Sequence, residues 1–311
     1  MEYTKKPSIF QVNLLYLILG FLLIFLGSYV QGREVYSGLL ITEYLIILLP
    51  NLSYLKFKGC SLKKILKLNK ISMKQLLIII LIVIFTYPVA VFLNLIVITI
   101  LSSFGDIIPN SVPIPKNSLQ YLLGLFVIAI SPGICEEIMF RGTIMNAYDK
   151  LGKKKSIIYS AILFGLFHFN LQNLLGPIFL GIIFGIIVYK TDSIYSSVIA
   201  HLLNNTIALT IGYATTKAQN NVSNTNVETL GMSTQVQLLI ALVFIGGIAL
   251  VSGIILKILL KILPETENSI DYDEDILYET YTKGKNNLFE YLPIIIIIIV
   301  FIVRNVKYLF V

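Results

Sequence analysis

Ser131-Pro132-Gly133-Ile134-Cys135-Glu136-Glu137-Ile138-Met139-Phe140-Arg141 sets two carboxylates and a guanidinium inside a chain that otherwise reads as membrane. An ionised side chain at the centre of a membrane helix costs roughly 2.5–3.5 kcal/mol on insertion scales. Such groups face a polar cavity or one another and mark function, so Glu136, Glu137 and Arg141 are the first candidates for chemistry.

The chain around this stretch has 311 residues, 56% of them hydrophobic and only 13% charged, which excludes an ordinary soluble domain. The fold class expected is an all-α, polytopic membrane helix bundle of about eight core transmembrane helices plus one extra C-terminal span. A formal net charge of +7 raises nucleic acid as a partner. The lysines, however, sit mostly in loops between apolar runs, where they report orientation, and no nucleic-acid role follows. Cys60 and Cys135 are far apart and imply neither a disulfide framework nor a metal knuckle.

Apolar runs cover about Phe10 to Val30, Tyr36 to Leu55, Gln75 to Ser103 and Leu119 to Pro132. Beyond the carboxylate pair, further runs cover Ser156 to Phe169, Leu174 to Tyr189, Ile194 to Tyr213, Val236 to Ile262 and Leu292 to Val311. The first is longer than a secretory h-region and lacks a small-residue cleavage site, so it reads as a retained span. Lys56, Lys58, Lys63, Lys64, Lys67, Lys70 and Lys74 share one loop, which the positive-inside rule places in the cytoplasm. The expected location is the cell membrane, multi-pass, with the N-terminus cytoplasmic; Arg304 and Lys307 near the outer end of the last span run against the trend.

Several local features carry structural expectations. Pro88 should bend the third span, and Pro132-Gly133 should break the fourth. Glu43 lies in the outer half of the second span, where a carboxylate reaches the interface and needs no special role. Gly181 and Gly185 form a small-x-x-x-small packing face. Lys217 to Thr234 reads as a polar outer loop. Asp271, Asp273 and Asp275 begin like a calcium loop, but Ile276 stands where glycine is needed and Thr282 where the bidentate Glu belongs, so a solvated linker is the better reading.

Two histidines, His168 and His201, are all the chain contains, and both lie in apolar runs. A buried imidazole needs a polar partner, and few are available at that depth. Glu137 and Arg141 are four apart, hence on one helix face and able to pair. Glu136 is rotated about 100° from Glu137 and is left for proton transfer. His201 and Asn205 also share a face, with Asn204 to the side, and supply two donors that converge as a developing oxyanion requires. Phe164 shares a face with His168 and walls its imidazole. Together these groups are the parts for adding water to a carbonyl. For the two histidines to meet, the helix of His168, about 18 Å of helix beyond Ser156, must begin in the Lys153 to Lys155 region.

E-E-x-x-x-R at Glu136, Glu137 and Arg141, F-x-x-x-H at Phe164 and His168, and H-x-x-x-N at His201 and Asn205 resemble the CPBP family in kind and order. This family of Abi-type intramembrane glutamic endopeptidases includes CAAX prenyl proteases and bacteriocin-processing enzymes. The resemblance spans about Leu119 to Tyr213. It implies catalytic roles for Glu136 and His168 in activating water and for His201 and Asn205 in stabilising the oxyanion. Glu137, Arg141 and Phe164 match the remaining motif positions and shape the site. It further implies no metal or other cofactor, and a peptide or membrane-protein substrate of the prenylated or bacteriocin-like kind, met at the lipid bilayer.

The chain then divides into residues 1–118 (N-terminal spans and the lysine-rich loop), 119–263 (catalytic membrane core), 264–291 (acidic linker) and 292–311 (C-terminal span). The linker and last span depart from the family core. Rival readings remain open at this stage: a zinc protease with His168, His201 and Glu136 as ligands, although no H-E-x-x-H is present; a cysteine protease built on Cys135; a proton-coupled transporter; and a non-catalytic immunity or scaffold protein.

Overall fold

Within a bilayer no water is present to satisfy a peptide group, so a chain this apolar must close its backbone hydrogen bonds within helices or a closed barrel. The computed structural model describes residues 6–105, 107, 112–222, 233–266 and 288–306, and among these every regular element is helical. Residues Asp271 to Thr282 of the acidic linker, Pro109, positions 223–232 of the outer loop, and Lys307 lie outside the described residues.

The helices are α1 (Ile9–Arg33), α2 (Val35–Phe57), α3 (Met73–Leu101), α4 (Ser118–Leu151), α5 (Lys153–Phe167), α6 (Leu171–Thr191), α7 (Ile194–Ala218), α8 (Thr234–Ile262) and α9 (Leu288–Asn305). All but α5 are long and apolar enough to cross a membrane, eight in total among the described residues. This is a multi-pass membrane protein. At 15 residues α5 is too short to qualify, and it starts at Lys153, where the sequence required the His168 helix to start.

Local sequence signals account for the ends. Ser72 and Gln75 form a reciprocal capping box at the start of α3. Asn117 and Ser233 accept hydrogen bonds from the first-turn amides of α4 and α8. Asp192, in the left-handed conformation (φ 48°), ends α6, and its carboxylate meets Lys67 and Asn69.

Two large apolar clusters dominate the interior, with two smaller ones beside them. Tyr16, Phe140, Tyr148, Phe164, Phe167 and Phe301 join α1, α4, α5 and α9. Ile79, Ile82, Phe184, Ile187, Ala200 and Leu256 join α3, α6, α7 and α8. The seam between them is narrow because glycines line it. A Cβ on Gly181 would stand 2.8 Å from Ala161 Cα, and one on Gly133 3.2 Å from the backbone nitrogen of Leu202. Close helix approach of this kind depends on the missing side chain. Gly133→Val is expected to force α7 from α4 and to lower stability by about 1–3 kcal/mol, read as a drop in the thermal midpoint in detergent; an unchanged midpoint would show that the seam yields without cost.

The expected break at Pro132-Gly133 does not occur, since α4 runs unbroken from Ser118 to Leu151. Proline lacks an N–H and its ring crowds the carbonyl four residues back, here Ile128. Two features absorb this. The helix widens to π geometry over Leu125–Ile130, and Asn205 Nδ2 donates to the Ile128 carbonyl at 3.0 Å. Ser131 Oγ donates to the Phe126 carbonyl at 2.9 Å. A neighbouring helix thus satisfies what proline leaves free, the usual means by which membrane helices keep proline. Pro88 likewise lies within an uninterrupted α3.

Candidate active site

Four helices bring the polar groups together. α4 carries the carboxylates on the turns Ser131–Glu137, flanked by π stretches at Leu125–Ile130 and Ile138–Ile144. π turns occur often at functional sites because they re-aim side chains within a continuous helix. Carbonyls loosened by the second stretch are taken up locally: Asn146 Nδ2 donates to Arg141, Gly142 and Ile65 carbonyls, and Thr143 Oγ1 to Ile138.

Glu137 and Arg141 are fully buried. Arg141 Nη1 donates to Glu137 Oε1 at 2.8 Å, while Nη2 donates to the Gly181 carbonyl at 3.2 Å across the seam. The guanidinium lies 4.9 Å from the Phe164 ring centroid and 5.4 Å from that of Phe184. A planar cation between two ring faces is stabilised where no water can solvate it. Gly181, expected from sequence to do packing alone, therefore also offers Arg141 a carbonyl that a side chain at that position would separate from it.

His201 of α7 occupies the gap between the carboxylates. Nδ1 is 2.9 Å from Glu137 Oε1, and because a carboxylate oxygen accepts, Nδ1 carries the hydrogen. Nε2 then turns to Glu136 Oε2, 3.9 Å away. Phe164 and Phe184 hold the imidazole at 5.7 and 5.6 Å between ring centroids. Glu136 is partly accessible, with 14% of its side chain exposed, whereas Glu137 has none.

His168 caps the C-terminal end of α5 and is exposed. Its Nδ1 donates to the Phe164 carbonyl at 2.9 Å, which leaves Nε2 as the lone-pair nitrogen. The Phe164 ring stands edge-on to it at 5.2 Å, so one ring serves both histidines. Among the described residues His168 makes no hydrogen bond to Glu136. Asn205 spends one N–H on Ile128, and its Oδ1 accepts from Asn204 Nδ2 at 3.1 Å. Its second N–H is the one open to a ligand. Asn204 Oδ1 is buried without a partner among the described residues.

The interface role expected of Glu43 is not what the structure has. Glu43 is 6% exposed, sits on a π stretch of α2 (Ile41–Leu48) packed against Ser131–Glu137, and is an electrostatic neighbour of Glu136 and Cys135. Its Oε2 has no hydrogen-bond partner among the described residues. The Tyr44 hydroxyl, beside it, lies 3.4 Å from Ser131 Oγ, whose own hydrogen goes to Phe126, and can donate to it. Nothing in the linear sequence separates a carboxylate that reaches the interface from one turned inward. Cys135 is fully buried in the first apolar cluster. Among the described residues no three His, Cys, Asp or Glu side chains converge to hold a metal ion.

No curated protein and no solved structure matches the chain. Residues 118–207, from the start of α4 to the fourth turn of α7 and including every motif residue above, match the family described as type II CAAX prenyl endopeptidase Rce1-like. Over that segment the chain is similar to this family of CAAX-type membrane proteases.

Proposed function

We propose that the protein is an intramembrane glutamic endopeptidase whose attacking water is activated by Glu136 and His168, with His201 and Asn205 as oxyanion donors. The observation that carries this reading is His201 held between Glu137 at 2.9 Å and Glu136 at 3.9 Å, beside the one carboxylate of the pair that a substrate can reach.

The water gives a proton to Glu136 as its oxygen adds to the scissile carbonyl; His168 Nε2, free to accept, orients the second hydrogen. The negative charge that develops on the carbonyl oxygen meets His201 Nε2–H and the spare Asn205 N–H. His201 donates from both nitrogens in this step, and Glu137 and Arg141 offset one another as a buried ion pair. Collapse of the intermediate breaks the C–N bond, and Glu136 returns its proton to the leaving amine. Glu137, Arg141 and Phe164 touch no reacting atom and hold the others in place.

The catalytic unit proposed is residues 119–263, opening to the cytoplasm, with the N-terminus on the same side as the lysine-rich loop. The substrate is a peptide or membrane protein, prenylated or bacteriocin-like. The test is cleavage of a mixed peptide library, half of it carrying prenylated C-termini, by the protein in lipid nanodiscs. Cleavage is expected to survive a strong chelator and to vanish in Glu136→Ala. Loss with chelator, restored by zinc, would transfer the assignment to a zinc protease using His168, His201 and Glu136. A folded wild type that cuts nothing and matches the variant would favour a non-catalytic scaffold.

A further inference from the structure

His168 sits at a strained point of the chain. α5 ends there, and the next residue, Phe169, takes a left-handed conformation with φ 47°, uncommon for a bulky side chain and sustained only where surrounding structure enforces it. The backbone leaves the α-helical ladder between Phe169 and Leu171, with Phe169 buried, so its peptide groups need other partners.

Those partners come from α9, far outside the segment that matches the protease family. Asn305 is 3% exposed. Its Oδ1 accepts from the Leu171 N–H at 2.9 Å, and its Nδ2 donates to the carbonyls of Phe169 at 3.4 Å and Phe301 at 2.8 Å. One amide thus brackets the turn that follows His168. At the other end of α9, Asn13 Nδ2 donates to the Glu290 carbonyl at 2.7 Å and Tyr148 to Asn13 Oδ1 at 2.8 Å, which anchors the span to α1 and α4. Between these ends Ile297 is fully buried in the first apolar cluster, together with Phe169 and Phe301.

We infer that the C-terminal span is part of the catalytic apparatus and that Asn305 is a positioning residue, which sets the aim of His168 by clamping the Phe169–Leu171 turn. The kinetic side of this inference rests on the role proposed above for His168; the structural side does not. α9 is a strut of the site, and its last helical turn does for His168 what Arg141 does for Glu137.

The chain's two histidines make the test direct. With histidine labelled selectively in nitrogen-15, the full-length protein in nanodiscs shows two imidazoles, assigned through His168→Ala. Asn305→Leu is expected to broaden or average the two ring nitrogens of His168, as the Nδ1–H tautomer set by Phe164 loses its bias, and to leave those of His201 in place. In the cleavage assay it should lower kcat by about 10- to 100-fold, the scale of a small misplacement of a catalytic group, with KM within about twofold. In a His168→Ala background the same substitution should cost less than about threefold, because residues acting as one unit are not additive. Leu171→Pro removes the same hydrogen bond from the other side, at a position preceded by an extended Asn170 (φ −132°, ψ 114°), and should give a weaker version of the same result if Asn305→Leu does not fold.

An unchanged His168 spectrum in both variants overturns the clamp, whatever the activity. A kinetic loss of equal size with and without His168 overturns the link to that residue. If wild type and Glu136→Ala cut alike while the His168 signals still respond, the protease reading fails and the clamp stands.

Discussion

Arg141→Met is expected to destabilise the protein by about 3–5 kcal/mol, the cost of removing one member of a buried ion pair. Glu137 has no accessible surface, and the guanidinium supplies its 2.8 Å hydrogen bond and countercharge. Glu137→Gln alone strands Arg141 in the same way, between the rings of Phe164 and Phe184. The double variant Glu137→Gln/Arg141→Met should recover much of the loss, since a pair replaced by neutral groups of similar volume often comes close to neutral. Thermal or denaturant unfolding in detergent of the four proteins gives the coupling directly. If the two single losses simply add in the double variant, the pair is not a unit and the seam is held by other contacts.

Glu136→Gln is the second large effect. Glutamine keeps the shape and loses the base, so kcat is expected to fall by about 10²–10⁴ with KM nearly unchanged, the signature of a group that acts only in the transition state. Stability should hardly change, because Glu136 is partly accessible and His201 Nε2, 3.9 Å away, stands beyond hydrogen-bond distance. Residual activity above a tenth of wild type would move the base role to another group. Glu43 is the next carboxyl at hand, buried against the same helix turn.

The contrast between these two carboxylates was readable before any coordinates. A charged residue in a membrane helix must find a partner, four-residue spacing puts Glu137 and Arg141 on one face, and the period turns Glu136 away. Helical spacing likewise placed Phe164 with His168, and the length of the apolar runs set the helical bundle. Such properties are local: they depend on helix geometry and on the cost of charge in lipid, and both act over a few residues.

Other features depend on which helices meet, and no local rule contains that. Pro132 reads as a break, yet Asn205, 73 positions later by numbering, satisfies the carbonyl that proline frees and the helix continues. Glu43 reads as an interface carboxylate, yet α2 packs on α4 and turns it inward. The last span reads as an appendage, yet Asn305 holds the turn beside His168. Sequence alone determined the apolar runs, the helical class and the one-face pairs, because those follow from backbone period and transfer free energy. Only the tertiary structure decided which buried polar groups satisfy one another, since a hydrogen bond across a helix seam is set by packing between residues that sequence spacing does not relate.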